Sequence, residues 1–254
     1  PVLNDLRSMI AANNVGNRKL SEVVERFGLE RHRRYAALNK DITERVLRER
    51  IAKLPDGVYE TVEWNEWDGH DGGDQLLELG LRMEVRGSDL KFTYRGAPQI
   101  DGFVNAGRGA MWGQTVTALL TTLAYGDLPV NGGLWRPLSI ELGPPGTLVH
   151  PLPPAPVSDG HAEVGMRACK MTREVLSQAL ALSDDPTLRA RVGGRAHDGT
   201  PVSALYGKNQ HGGTSVILYL DSPTGIGGGA QSIQDGQDGY GSTCMTGCGL
   251  SDLE

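Results

Sequence analysis

The spacing of apolar residues changes at Pro55-Asp56-Gly57, and this change limits the chain to folds that contain both helices and strands. Before the tripeptide, apolar side chains recur every three or four positions, as on one face of a helix. After it they occupy every second position, as on one face of a strand. Pro, Asp and Gly favour turns, so the tripeptide ends the helical region. The pattern predicts an α+β fold with a helical arm over residues 1–54 and an α+β core over residues 55–254.

The helical arm has an internal break at Gly28. The apolar residues before and after this glycine are Leu20, Val23, Val24 and Phe27, then Tyr35, Leu38, Ile42 and Val46. We therefore expect two antiparallel helices within residues 3–53. Their remaining faces are dense in charge, which suits either a solvated surface or a contact face for another subunit.

The core begins with antiparallel strands and continues with mixed elements. Alternating apolar residues on both sides of Gly87-Ser88 predict a hairpin with one buried face. Helices are expected at 110–125 and 161–182, and strands at 138–142 and 216–220. Glycine is concentrated after residue 193, where we expect loops shaped by the backbone.

Composition excludes several classes of protein. Lys and Arg number 25 against 31 Asp and Glu, a net charge of −6 that does not suit phosphate backbones, so no nucleic acid partner is expected. No segment approaches the ~20 apolar residues of a membrane helix, so no membrane partner is expected. Three Cys do not make a disulfide framework. The predicted location is the cytoplasm.

The segment Asp159-Gly160-His161-Ala162-Glu163 is the strongest candidate for chemistry. It follows a proline-rich passage and is expected to open a helix, with Asp159 as the N-cap. His161 would then lie in the first turn, where the helix dipole lowers the pKa of an imidazole and keeps it neutral. A neutral His can act as a base or a ligand. In the alternative interpretation Asp159 only caps the helix and His161 is a surface residue.

Other polar clusters give weaker signals. The segment Gly207–Ser215 resembles a phosphate loop but lacks the Walker order of Gly-Lys-Ser/Thr. Cys244 and Cys248 form half of a zinc site at most, which would need a His such as His211. The acidic loop Asp68–Asp74 lacks the ligand spacing of a calcium loop. We treat His150 as an ordinary loop residue.

An ordered series of segments resembles one family. The series runs Asp5–Leu20 (DLRSMIAANNVGNRKL), Leu54–Tyr59 (LPDGVY), Val104-Asn105-Ala106, Leu128–Pro137 (LPVNGGLWRP), Gly146–Pro151 (GTLVHP) and the region Gly225–Gly239. Together they resemble the B-type chain of ATP-dependent hydantoinases, the matching part of 5-oxoprolinase and the related subunits of acetone and acetophenone carboxylases. The resemblance covers nearly the whole chain.

The resemblance implies an enzyme of several subunits that acts on a small molecule. An A-type, hydantoinase A-like, ATP-hydrolysing partner subunit would phosphorylate a carbonyl oxygen, and the B-type subunit would complete hydrolysis or carboxylation at a divalent metal (Zn, Mn or Mg). The family's metal motifs precede the first residue of this chain. We therefore expect the metal ligands outside it, on a further chain that supplies the N-terminal part, and the core to belong to a larger, multi-segment domain.

Site roles follow from residue type, loop position and this resemblance. His161 is the expected base and lines the reaction chamber with Asp159 and Glu163, while Asn105 and His211 would hydrogen-bond to the substrate. The predicted reaction is hydrolysis of a cyclic amide of the hydantoin, oxoproline or lactam type. One alternative is ATP-dependent carboxylation of a ketone, because both reactions share the activation step. Ser158–Arg167 (SDGHAEVGMR) stands where hydantoinase-like members have an Asn-x-Glu-Thr pattern, which argues against hydantoins in particular. The second alternative is a noncatalytic assembly module.

Overall fold

A computed structural model of the chain describes residues 2–67, 74–124, 126, 128–158, 160–193, 203–219, 230 and 235. In chain order the elements are α1 (Val2–Phe27), α2 (Leu29–Ile51), β1 (Gly57–Trp67), β2 (Asp74–Arg86), β3 (Asp89–Gly96), α3 (Arg108–Thr122), a 3-10 helix (Gly132–Trp135), β4 (Leu138–Glu141), α4 (Val164–Ala181), α5 (Pro186–Arg189), β5 (Ser203–Lys208) and β6 (Thr214–Tyr219). The predicted α+β class is confirmed.

The chain divides into two compact units. One comprises residues 1–46 and 128–136, and the other comprises residues 47–127 and 137–254. The first division falls within α2. The boundary at residue 54 that the sequence suggests stays a prediction.

The helical arm of the first unit differs from the expected antiparallel pair. Gly28 separates α1 from α2 with a φ of +82°, a conformation that favours glycine. Its N–H still donates to the carbonyl of Val24 at 2.8 Å, and His32 N–H donates to the Gly28 carbonyl at 3.1 Å. A single residue is too short to reverse the chain, and α1 and α2 do not pack side by side. Large apolar side chains of α1 are exposed, including Leu3, Leu6, Met9, Ile10 and Phe27.

Residues 128–136 of the first unit are fixed by polar contacts. Asn131 accepts a hydrogen bond from the N–H of Gly133 at 2.8 Å and donates to Thr43 Oγ1 at 2.8 Å. Arg136 pairs with Asp41 at 2.7 Å and with Glu44 at 2.8 Å. A Cβ at position 133 would collide with the carbonyl oxygen of Lys40, so only glycine fits there. These contacts account for Asn131, Gly133 and Arg136 in the LPVNGGLWRP segment.

The second unit is built on a four-stranded sheet of order β1-β2-β3-β4. The first three strands are antiparallel, as the alternating pattern predicts, whereas β4 runs parallel to β3. One face of the sheet is buried. Its apolar residues include Tyr59, Leu79, Leu81, Met83, Val85, Leu90, Phe92, Tyr94 and Ile140.

Helices α3 and α4 pack against each other, and α4 packs on β1 and β2. The hydroxyl of Tyr94, on the buried face, lies 2.7 Å from Thr115 Oγ1 of α3 and 2.8 Å from Thr172 Oγ1 of α4. At Gly165 a Cβ would lie 3.0 Å from the Gly160 carbonyl oxygen and 3.7 Å from the Ala110 Cβ. Glycine there lets the first turn of α4 approach α3 closely.

Polar side chains of α4 also contact the outer edge of β1. Gln178 Nε2 donates to the Glu60 carbonyl at 3.1 Å, and Arg167 Nε donates to the Trp64 carbonyl at 2.9 Å. Both carbonyls belong to residues whose backbone groups point away from β2. The helix therefore satisfies acceptors that the sheet leaves open.

The remaining elements form a hairpin. Strands β5 and β6 pair antiparallel from Ser203↔Tyr219 to Lys208↔Thr214. The expected strand at 216–220 corresponds to β6, although Leu220 lies outside the described residues. Among the described residues, no helix combines the length and apolar character needed to cross a membrane.

Candidate functional site

A cavity of about 460 Å³ lies beside the start of α3 and the edge strand β4 of the second unit. Its lining comes from four stretches of chain that the sheet and α3 bring together. The lining residues are Thr93, Arg108, Trp112, Ile140, Glu141, Leu142, Gly143 and His150. A concave space of a few hundred Å³ with apolar walls and a few polar groups is typical of small-molecule sites.

Arg108 and Trp112 form the helical wall of the cavity. They are one turn apart on α3, and the Cζ atom of Arg108 lies 4.8 Å from the centroid of the Trp112 ring. This cation–π contact holds the guanidinium over the indole face. Within the described part of the chain, Arg108 forms no ion pair. Its N–H donors are therefore available to a ligand.

Glu141 supplies negative charge at the end of β4. Its Oε1 lies 2.9 Å from Nζ of Lys91, with 52% of the Glu141 side chain and 41% of the Lys91 side chain exposed. Water screens an ion pair this exposed, so the pair adds little to stability. Among the described residues, no side chain other than Lys91 forms a hydrogen bond or ion pair with this carboxylate. It can accept hydrogen bonds from a molecule in the cavity.

His150 is oriented by the backbone. Its Nδ1 lies 3.0 Å from the carbonyl oxygen of Gly143 and donates to it, because a carbonyl can only accept. In the neutral imidazole this leaves Nε2 as an acceptor. Gly143 has a φ of +72°, and a Cβ there would lie 2.7 Å from the carbonyl oxygen of Tyr94. Glycine is therefore needed at this point of the cavity wall.

Asn105 is fully buried and holds two loops together. Its Nδ2 donates to the carbonyl oxygens of Ile100 at 2.9 Å, Gly102 at 2.7 Å and Pro156 at 2.9 Å. Its Oδ1 accepts from the N–H of Ile100 at 3.1 Å. These contacts engage both ends of the side-chain amide. They tie the loop before α3 to the proline-rich passage before α4.

The turn that carries His161 packs against the same loop. A Cβ at Gly160 would collide with the carbonyl oxygen of Asn105, so the two backbones touch. Gln114 Nε2 of α3 donates to the His161 carbonyl at 3.3 Å. The structure thus brings Asn105 together with the turn that leads into α4.

The expected start of this helix is wrong. Helix α4 begins at Val164, and Glu163 occupies the N-cap position without a capping hydrogen bond from its side chain. His161 therefore precedes the helix and is exposed, so the helix-dipole argument for its neutral form does not apply. Glu163 Oε2 lies 3.2 Å from Nη1 of Arg167, the i,i+4 pair that the spacing predicts. Asp159 lies outside the described residues.

His211 lies elsewhere, in the turn between β5 and β6. Its side chain is exposed, and its N–H donates to Asn209 Oδ1 at 2.9 Å. No contact among the described residues joins His211 to Asn105 or to the His161 turn. The roles assigned from the sequence to Asp159, His161, Glu163, Asn105 and His211 stay predictions.

Sequence reasoning missed the residues that line the cavity. Arg108 and Trp112 have a helical i,i+4 spacing that could have indicated a shared surface. His150 lies within GTLVHP, one of the segments that carry the family resemblance, yet the segment by itself predicts only an ordinary loop. Glu141 gives no signal in the sequence, because its position in the cavity depends on the pairing of β4 with β3.

The expected metal has no complete set of ligands in the described part of the chain. There, no three His, Cys, Asp or Glu side chains lie close enough together to hold an ion. Cys244 and Cys248 lie outside the described residues, as do residues 68–73 of the acidic loop. The described residues do not fit a divalent metal by themselves, and no chemical step is derived through one.

Comparisons with known proteins agree with this fold. The beta subunit of the caprolactamase of Pseudomonas jessenii is 27% identical over 252 residues, which are 98% of this chain and 41% of that protein. The crystal structure of the ATP-dependent caprolactamase from the same organism superposes with a TM-score of 0.77 at 25% identity, covering 94% of this chain and 40% of that chain.

Two further proteins extend the comparison. The B-type chain of a putative D-/L-hydantoinase of Pseudomonas sp. (strain NS671) is 31% identical over 167 residues, 61% of this chain and 28% of that protein. The nucleotide-free structure of an acetone carboxylase shares the fold, with a TM-score of 0.70 at 18% identity over 88% of this chain and 30% of that chain. The chain spans less than half the length of each of these relatives.

A family model described as Hydantoinase B/oxoprolinase matches residues 1–254. The match covers both compact units, and two of the relatives are named as the beta or the B component of an enzyme with several subunits. The resemblance predicted from the ordered segments is confirmed: the chain belongs to the hydantoinase B/oxoprolinase family.

Proposed function

We propose that this chain is part of a B-type subunit of an ATP-dependent enzyme that hydrolyses a cyclic amide. The observation that carries the proposal is the similarity to the beta component of a caprolactamase, which extends over 98% of the chain in sequence and 94% in structure. Caprolactamase is named for a lactam, the chemical class that the sequence predicts as substrate. The core belongs to a larger domain of the complete subunit, and the enzyme acts in the cytoplasm.

The use of ATP follows from the stability of the amide bond. Resonance makes the carbonyl carbon a poor electrophile, and phosphorylation of the carbonyl oxygen removes that resonance. An A-type partner subunit transfers the γ-phosphoryl group of ATP to the amide oxygen and releases ADP. Water then adds to the carbon, and the ring C–N bond breaks as the nitrogen takes up a proton, which leaves an acyl phosphate. A second water hydrolyses the acyl phosphate to the carboxylate and inorganic phosphate. The net products are ADP, phosphate and a linear amino acid.

The turn before α4 is our candidate for the hydrolytic step. His161 is exposed on a turn whose backbone is fixed by Gln114 and by the contact of Gly160 with Asn105. An exposed imidazole on a fixed turn can take the proton of an attacking water. Glu163 is close in sequence, and its pairing with Arg167 holds it in place. Asp159 and His211 keep the roles predicted from the sequence, whereas the contacts of Asn105 favour a positioning role.

The direct test uses the complete B-type subunit assembled with its ATP-hydrolysing partner. Caprolactam, hydantoin and 5-oxoproline are each supplied with ATP, and both phosphate and ring-opened amino acid are measured. We expect equal amounts of the two products from at least one cyclic amide. His161→Ala should lower kcat, whereas His32→Ala in α2 should not change it. Unchanged turnover in the His161 variant would remove this residue from the mechanism.

The two other functions predicted from the sequence are outcomes of the same assay. Acetone with bicarbonate and ATP replaces the cyclic amide in a parallel reaction. Carboxylate formation without any ring opening would identify a ketone carboxylase and overturn the proposal. If every substitution at Asp159, His161, Glu163 and His211 left turnover unchanged, the chain would be a noncatalytic assembly module.

A further inference from the structure

We propose that the cavity beside α3 binds a zwitterionic amino acid, with Arg108 pairing with the ligand carboxylate and Glu141 with its ammonium group. The proposed function enters only in the choice of ligand, because opening a cyclic amide yields a molecule with both charges. The pairing itself rests on the residues that line the cavity.

The carboxylate position follows from Arg108. A guanidinium presents paired N–H donors that match the two oxygens of a carboxylate. In the described part of the chain no acidic side chain occupies these donors, and the Trp112 ring holds the cation from one side. Stacking leaves the edge of the guanidinium open while restricting its motion. The ordering entropy lost on binding a carboxylate is therefore reduced.

The ammonium position follows from Glu141. Lys91 engages Oε1 of this carboxylate, while Oε2 remains available among the described residues. The neutral tautomer of His150 has Nε2 as an acceptor, and Thr93, whose side chain carries a hydroxyl, belongs to the same lining. An ammonium group has three donors and needs several acceptors. This part of the cavity supplies a carboxylate oxygen, an imidazole nitrogen and a hydroxyl oxygen.

Apolar groups complete the lining between the charged groups. Trp112, Ile140 and Leu142 belong to the lining of the same space of about 460 Å³. Methylene groups of a linear amino acid can bury their surface there at about 25 cal/mol per Å². A lactam carries neither charge, so we expect it to bind more weakly than its ring-opened product. The cavity would then retain or sense product rather than substrate.

Binding is tested on the complete subunit assembled with its partner, by titration calorimetry without ATP. The probes are 6-aminohexanoate, hexanoate, hexylamine, caprolactam and inorganic phosphate. We expect 6-aminohexanoate to bind at least about tenfold more tightly than any other probe, because each of the others lacks one or both of the charge pairs. Inorganic phosphate binding as tightly as 6-aminohexanoate would show a general anion site and overturn the inference.

Two variants test which residue of the cavity pairs with each charged group of the ligand. Arg108→Met should weaken the binding of 6-aminohexanoate and hexanoate about tenfold or more, whereas Glu141→Gln should weaken 6-aminohexanoate and leave hexanoate unchanged. Arg95→Met and Glu78→Gln are matched controls, because this pair lies on the same sheet outside the cavity lining and should leave binding unchanged. Binding that survives both cavity variants would place the site elsewhere and overturn the inference.

The inference and the proposed function fail separately. A complex that hydrolyses lactams but does not bind 6-aminohexanoate at millimolar concentration refutes the inference alone. A complex that binds it through Arg108 and Glu141 but opens no cyclic amide refutes the proposed function alone.

Discussion

We expect the Tyr94→Phe variant to be less stable than the wild-type protein at neutral pH and more stable than it at alkaline pH. The ring is buried at the centre of the second unit, and its hydroxyl contacts Thr115 and Thr172. Each threonine also contacts the carbonyl four residues before it at 2.7 Å. Three hydroxyl hydrogens must therefore serve four contacts, so at most three of these hydrogen bonds exist at one time.

The phenylalanine variant leaves no buried donor without an acceptor. Both threonines can then donate to their own helix carbonyls, which accounts for every remaining hydroxyl hydrogen. The net loss is one hydrogen bond, or about 1 kcal/mol of the free energy of unfolding at neutral pH. The wild-type protein should be the more stable one by this amount.

At alkaline pH the difference in the free energy of unfolding between the two proteins should change sign. Burial raises the pKa of Tyr94 from 10.0 to about 12, although the hydrogen bonds with Thr115 and Thr172 act in the opposite direction. The folded state holds the hydroxyl proton of Tyr94 more tightly than the unfolded state does. Its contribution to the free energy of unfolding is therefore complete below pH 10 and is lost as the pH rises from 10 to 12. The loss is about 1.4 kcal/mol per pH unit in that window. The variant has no such loss, so the two stabilities should cross near pH ~10.7.

Urea unfolding of both proteins at intervals from pH 7 to pH 11 gives the difference directly. Effects of other titrating groups cancel in the comparison. Tyr35→Phe is the control, because that side chain is exposed and its difference from wild type should stay flat. If the difference in the free energy of unfolding between Tyr94→Phe and wild type also stays constant up to pH 11, burial does not raise the pKa of this hydroxyl and the reasoning is refuted.

Three further predictions, one of them with a control substitution, test the loops and the acid limit of stability. Asn105→Ala should lower the free energy of unfolding by about 2–4 kcal/mol, because it leaves buried carbonyls without donors. A raised KM with unchanged stability would instead indicate that Asn105 binds substrate. Gly160→Ala should cost about 3 kcal/mol or more in thermal or urea unfolding, because the new Cβ collides with the Asn105 carbonyl. Gly109→Ala, where the Cβ meets nothing, should be neutral or stabilising, and equal losses at both positions would contradict this account. Hydrogen bonds from Lys53 and Thr187 hold the pKa of Asp185 well below its usual 3.8, so Asp185→Asn should be less stable than wild type above pH 3.8. That difference should begin to shrink as pH falls below 3.8 in unfolding curves, and a gap of unchanged size from pH 5 down to pH 2 would exclude the carboxylate as its source.

The elements that the sequence predicts best are those with a local cause. The hairpin around Gly87-Ser88 and the break at Gly28 follow from alternation and from a positive φ. Helix α3 is close to the predicted 110–125, because its apolar spacing lies within one segment. The predicted start of α4 lies three residues too early, since the turn at Gly160 is shaped by a distant carbonyl of Asn105.

The cavity could not be predicted, because its residues meet only through tertiary structure. Thr93 and Glu141 become neighbours when β4 returns parallel to β3, a pairing that depends on the path of the chain between them. His150 gains its orientation from Gly143, seven residues earlier. Residue type and the expected start of a helix indicate His161, whereas only the fold brings Arg108 and Glu141 to the same cavity.

The contacts between α4 and β1 have a consequence for solubility. An open strand edge of 11 residues is a template on which another chain can add a strand, the first step of many aggregates. Gln178 and Arg167 occupy the carbonyls of Glu60 and Trp64 that such a strand would need. At the opposite margin, β4 offers only four residues. The sheet is thus protected against growth by side chains at one margin and by brevity at the other.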